Sequence, residues 1–113
     1  LIMWGAGYGG SVTFTGTGSL TLNEDRCAPD DVGILVHGEN SASCVMIDKE
    51  VTLELYGAYA ILIDSVTIEK AIYYLEPSKL TGGERICLSS EEPHSYTIID
   101  EYGNPSHYVK FAP

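Results

Sequence analysis

Eight tyrosines in 113 residues are the side chains here best suited to holding a ligand, and Tyr56, Tyr59, Tyr73 and Tyr74 crowd into one stretch of the chain. An aromatic face offers flat apolar contact with a polar tip, the combination that stacks on a sugar ring. On an exposed strand these four form a candidate carbohydrate platform. On alternating positions some of them fill a core or cover an edge instead.

The acidic residues suggest a second chemistry. Asp30 and Asp31 share a polar loop with Glu24, while Asp48 and Asp64 each follow a short apolar run, which makes them candidate calcium ligands. Calcium takes roughly 6–8 oxygens. None of these residues sits in a D-x-[DN]-x-[DN]-G loop, so solvated loop acids are the plain alternative. No other cofactor is implied.

Hydrolytic chemistry is not marked by any set of residues. A glycosidase needs two carboxylates at a fixed separation, and 16 acids offer pairs without selecting one. His37, His94 and His107 lie far apart in turn-like contexts, and no nucleophile motif picks out a Ser–His–Asp or Cys–His set. No catalytic residue is therefore assigned. Gly5-Ala6-Gly7-Tyr8-Gly9-Gly10 satisfies G-x-G-x-x-G, but the strand-like Ser11-Val12-Thr13-Phe14-Thr15 follows it. A dinucleotide site needs a helix there, whose N-terminus holds the pyrophosphate.

Cys27, Cys44 and Cys87 show no C-x-x-C spacing, which gives zinc and thioredoxin-type chemistry little support. The odd count leaves one thiol unpaired within a monomer. Cys44, beside Val45-Met46-Ile47, reads as a small hydrophobe; Cys27 can pair with either of the others in an exported protein.

The net charge of −10, from 16 acidic against 6 basic residues, disfavours nucleic acid and anionic membrane surfaces, which need clustered Lys and Arg. Cations, basic partners and neutral sugars stay acceptable. No run of about 18 apolar residues exists to span a membrane. The chain opens at Leu1 rather than Met, which reads as a fragment or a processed product.

Whatever the chemistry, short strands must position it. Residues 1–19 are too rich in glycine for helix, at about 1 kcal/mol per interior Gly relative to Ala. Ser11 to Leu22 reads as two alternating strands around Gly16-Thr17-Gly18. Val45 to Glu54 repeats that grammar, and Val66 to Leu75 repeats it again. Gly33 to Val36 and Arg85 to Leu88 add brief strands, and Tyr56-Gly57-Ala58-Tyr59 turns the chain. From Tyr96, Thr97-Ile98-Ile99 and His107-Tyr108-Val109-Lys110-Phe111 read as a terminal hairpin across Asp100 to Pro105. At most a turn or two of helix is expected, because the best amphipathic stretch, Ile63 to Leu75, is rich in β-branched and aromatic residues.

A unit of two short strands cannot bury its apolar face alone, but stacked copies can. Val12 stands 33 positions before Val45, and Leu20 stands 31 before Val51. For the next copy, Val45 to Val66 and Val51 to Ile72 give a step of 21, with Gly33-Ile34 stacked near Ala58 to Ile61. A competing register has steps of 16 and 15. A slip of one residue would turn every apolar side chain outward.

The glycine-rich opening followed by Val12-Thr13-Phe14-Thr15-Gly16-Thr17-Gly18, with Gly33-Ile34-Leu35-Val36, Val45-Met46-Ile47 and Val51-Thr52-Leu53 after it, resembles the rungs of bacterial right-handed parallel β-helix proteins. Ile99 to Pro105 with Tyr108-Val109-Lys110-Phe111 is similar to their closing segment. Many of these are large surface or secreted proteins of gut Gram-positive bacteria, some of them carbohydrate-binding. The resemblance covers roughly residues 5–111.

It implies an all-β chain: a short right-handed parallel β-helix over residues 1–95, closed by a C-terminal hairpin over 96–113; the turn spacing also allows a β-sandwich of short strands as the alternative fold. It implies an extracellular or cell-surface, non-enzymatic module, structural, adhesive or carbohydrate-binding, with glycans or other surface proteins as partners. The alternative is a polysaccharide lyase or glycoside hydrolase of β-helix type; the lyase chemistry wants a cationic base or a metal, and Arg26 and Arg85 are the arginines available. An open N-terminal rung exposes unpaired backbone, so self-association through residues 1–22 is expected unless an upstream rung is present.

Overall fold

The computed structural model describes residues 2–6, 11–23, 31–39, 43–65, 71–88 and 94–113. These residues form twelve strands and no helix: β1 (Ile2–Ala6), β2 (Ser11–Phe14), β3 (Ser19–Leu22), β4 (Val32–Glu39), β5 (Cys44–Ile47), β6 (Thr52–Tyr56), β7 (Tyr59–Ser65), β8 (Ile72–Tyr74), β9 (Lys79–Thr81), β10 (Arg85–Leu88), β11 (His94–Ile99) and β12 (Tyr108–Ala112). The reason is visible residue by residue. In β6, Leu53 and Leu55 are buried while Thr52, Glu54 and Tyr56 are half-buried, the two-residue period of a strand with one face in a core. Between β2 and β3 the chain bends at Gly16, whose φ of 99° suits glycine.

The strands fall into three sheets, none closed on itself: a five-stranded sheet in the order β1-β4-β7-β11-β10, a three-stranded sheet β2-β5-β8, and a four-stranded sheet β3-β6-β12-β9. Along the chain the first eight strands visit these sheets in rotation. β1, β2 and β3 make one circuit and β4, β5 and β6 the next; β7 and β8 begin a third. Their pairings are all parallel.

One register governs each step. Val12 pairs with Val45 and Leu20 with Leu53, both 33 positions on. Val45 pairs with Ile72 and Ile34 with Ile61, both 27 positions on. The first expected step for Val12 and the stacking of Ile34 near Ile61 hold. The steps of 31, 21, 16 and 15 do not: Leu20 faces Leu53 rather than Val51, and Val45 faces Ile72 rather than Val66. Ile72 to Tyr74 therefore continues the column of β5, not that of β6. Residues 66–70 lie outside the described residues.

The last strands reverse direction. β11 lies antiparallel between β7 and β10, and β12 lies antiparallel between β6 and β9. The tail thus forms two strands but not the expected hairpin, since β11 and β12 belong to different sheets; the isolated bridge from Ile99 to Pro105 ties β11 only to the turn that follows it. Their link is a tight turn in which Asp100 Oδ1 accepts the amides of Tyr102 and Asn104 at 2.9 and 3.0 Å. That local bonding crosses the chain from one sheet to the next instead of folding it back flat.

The core runs between the three sheets. Ile34 with Ile61, Val45 with Ile72, Leu53 with Phe111, and Leu55 with Val109 are register partners, and every one of them is fully buried. Each such side chain contributes about 1.5–3 kcal/mol on leaving water. Ile47 is likewise buried. At one corner the turn between β6 and β7 folds over Gly33, where a Cβ would overlap the Ala60 carbonyl and stand 3.1 Å from that of Tyr56. His107 pins the same corner: Gly57 N donates to the His107 carbonyl at 3.0 Å, and the imidazole Nδ1 bonds the Gly57 carbonyl at 3.1 Å.

Candidate functional site

The four tyrosines do not form one platform. Tyr56 ends β6 in the four-stranded sheet and packs its ring 4.7 Å from that of its register partner Tyr108. Tyr59 begins β7 in the five-stranded sheet, opposite Val32. These two flank the Gly57-Ala58 turn. Tyr73 and Tyr74 lie in the three-stranded sheet and alternate: Tyr74 continues the column of Phe14 and Ile47 and meets Phe111 in the core, while Tyr73 shares a line with Thr13 and Met46.

The candidate calcium ligands are also dispersed. Asp31 leads into β4, Asp48 follows β5, and Asp64 sits within β7. Asp48 accepts bonds from the Thr15 hydroxyl at 3.1 Å and from Lys49 N at 2.7 Å. Asp30 and Glu24 lie outside the described residues, as do Arg26 and Cys27. Among the described residues no three His, Cys, Asp or Glu side chains gather as a metal group. Glu84, Asp100 and Glu101 border shallow notches of about 250 and 290 Å³ beside the Asp100 turn. Cys44 carries a free, half-buried thiol.

One row was not legible in the sequence. The register lines up Trp4, His37, Asp64 and Ser95 across β1, β4, β7 and β11. Ser95 Oγ donates to Asp64 Oδ1 at 2.7 Å. The order matters chemically, because the carboxylate stands between the serine and the histidine positions. A nucleophilic serine needs the imidazole as its immediate neighbour, with the carboxylate behind it, so this row is not built as such a relay.

The feature that organises the molecule is the contrast between its two ends. At one end every sheet terminates in a first-circuit strand, β1, β2 or β3, so the margin is flush. Val12, Phe14 and Leu22 are only half-buried there, although they extend columns that are fully buried one circuit later. Leu20 is 41% exposed while its partner Leu53 is 0% exposed. The opposite end is stepped, because the sheets hold five, three and four strands and end in β10, β8 and β9. Exposed Glu76, Lys79, Glu84 and Arg85 lie along it.

The two ends also differ in charge. None of the 16 acidic and 6 basic residues falls in the first 23 positions. This neutrality is readable in the sequence, but it acquires meaning only when those positions are seen to form one margin. No family model, no curated protein and no solved structure matches this chain.

Proposed function

We propose that this chain is a non-enzymatic structural module, a short right-handed parallel β-helix that joins further β-structure by strand addition at its first circuit. The observation that carries the reading is the contrast between a flush, uncharged, half-exposed margin and a stepped, charged one. An edge strand presents unpaired N–H and C=O groups and is a template for another strand. The antiparallel β11 and β12 cover the far side of β7 and β6, so growth there meets a reversed and uneven surface. Parallel pairing in all three sheets, at offsets shared between them, supports a β-helix over a sandwich, whose sheets are antiparallel. The dispersal of the tyrosines favours a structural role over a carbohydrate-binding one. A cell-surface or secreted setting is part of the proposal and rests on the family resemblance.

Cysteine cross-linking tests the architecture. In a background with Cys27, Cys44 and Cys87 changed to Ser, the pairs Thr13→Cys with Met46→Cys, and Met46→Cys with Tyr73→Cys, are expected to form disulfides. Neighbouring strands stand about 4.8 Å apart, within disulfide reach. Thr13→Cys with Tyr73→Cys, two strands apart, is expected not to. Hydrogen exchange in dilute solution tests the open margin: β2 and β3 exchange faster than β5 and β6. Equal protection of all four strands would refute it.

A further inference from the structure

We infer that β12 is an inserted strand: it fills a slot between β6 and β9, two strands held in register to pair with each other, and it exchanges with a minor state in which they do.

The register carries this. Phe111 lies between Leu53 and Leu80, and Lys110 lies between Glu54 and Thr81. Leu53 to Leu80 and Glu54 to Thr81 are both steps of 27 positions. Val45 to Ile72 and Ile34 to Ile61, which pair directly, are also 27 apart. Because β12 runs antiparallel to both of its neighbours, β6 and β9 run parallel to each other. β9 thus has the direction and the offset of a strand that follows β6 by one circuit. Only the width of β12 separates them.

The other two sheets show that this slot is particular to β12. In the three-stranded sheet β8 pairs with β5 and nothing stands between them. In the five-stranded sheet β11 stands between β7 and β10, but there Leu62 to Cys87 and Ile63 to Leu88 are 25 apart. Direct pairing of β7 and β10 at the common offset needs a slide of two residues. Direct pairing of β6 and β9 needs none.

Packing decides which state dominates. Val109 and Phe111 are fully buried, and β12 forms two antiparallel ladders where β6 and β9 alone form one parallel ladder, which is also slightly less stable per residue. Inserted β12 is therefore the resting state. The minor state still closes: Leu80 stacks on Leu53, in the column that Leu20 begins, and an unchanged register keeps every side chain on its own face. Gly82 and Gly83 join β9 to β10 and let one strand move without the other. The released strand carries Val109 and Phe111 on one face, the pattern of a strand that adds to another sheet.

Disulfide trapping in the full chain, with Cys27, Cys44 and Cys87 changed to Ser, tests the exchange. Glu54→Cys and Thr81→Cys stand on either side of Lys110, about 9.6 Å or two strand spacings apart, beyond disulfide reach. They meet when β12 leaves. Under native conditions with an oxidant, this pair is expected to cross-link about tenfold or more faster than Thr52→Cys with Thr81→Cys, which is two residues out of register; the two loops are of similar length, so global unfolding would close both alike. In the trapped form the amides of β12 are expected to lose exchange protection while those of β5 and β8 keep theirs. In the unsubstituted chain, β12 amides are expected to exchange with a weaker urea dependence than those of β5, because their opening exposes less surface than global unfolding.

Four results would each overturn the proposal: no cross-link between the in-register pair, equal rates for the two pairs, a trapped form in which β12 stays protected, or β12 amides that exchange only by global unfolding.

Discussion

The rings of Tyr74 and Phe111 stand 5.4 Å apart and tilted at 54°, so the third strand of the three-stranded sheet meets the last strand of the chain inside the core. Phe111 is fully buried and pairs with both Leu53 and Leu80. Its side chain therefore binds the closing strand to two sheets at once. Phe111→Ala is expected to cost about 3–5 kcal/mol, read from urea unfolding, with one cooperative transition. A variant that loses less than about 1 kcal/mol would show that β12 is not part of the core.

Gly33 sits where the β6–β7 turn passes closest to β4. A methyl group at that position overlaps the Ala60 carbonyl and comes within 3.2 Å of Leu55 Cβ, both poorly able to give way. Gly33→Ala is expected to destabilise by about 1–3 kcal/mol. Gly18→Ala, where nothing lies within 4 Å of the added Cβ, is expected to fall within about 0.5 kcal/mol of the native chain. Paired thermal melts distinguish the two positions.

The ion pair between Lys110 and Glu54, at 3.4 Å, joins register partners in the four-stranded sheet with side chains 38% and 27% exposed. Water and salt screen such a pair. A double-mutant cycle with Lys110→Ala and Glu54→Ala is expected to give a coupling of about 0.2–1 kcal/mol that shrinks in high salt. A larger coupling, insensitive to salt, would contradict the exposed geometry.

Ser106 contributes both backbone groups to the fold, its N–H to the Ile98 carbonyl at 2.8 Å and its C=O to Ala60 N at 3.0 Å. Its hydroxyl is buried and has no partner among the described residues. Burying an unbonded hydroxyl costs free energy. Ser106→Ala keeps the backbone bonds and removes that cost, so stability is expected to rise by about 1 kcal/mol. A loss of stability would reveal a bond to the hydroxyl.

How much of this was legible in the sequence depends on what each signal constrains. Strand identity was readable, because Val12-Thr13-Phe14 and Leu53-Glu54-Leu55 alternate with a period that only a half-buried strand uses. The step from Val12 to Val45 was readable too. The next step was not, because Val-x-Ile and Val-x-Leu triplets recur along the chain and match one another at several spacings. What chooses among them is the offset shared by neighbouring sheets, which pair at the same spacing. Ile34 to Ile61 already required 27, and Val45 had to follow it to Ile72. The terminal hairpin failed for a similar reason: two strands near in sequence were assigned to each other, whereas β7 and β6 offered each a longer edge. The tyrosines were grouped by proximity in sequence, but alternation and sheet changes separate them. The Trp4, His37, Asp64 and Ser95 row draws one residue from each of four distant segments, so nothing local announces it.

The two unequal offsets differ at a single corner. Leu22 and Val32 are ten positions apart, while their partners Leu55 and Tyr59 are four apart. Every other connection between matched positions keeps its length from one turn to the next. The six-residue difference between the offsets is thus taken up between Leu22 and Val32, and no buried column is reset by it. An engineer seeking a place to graft a foreign loop would begin between Leu22 and Val32.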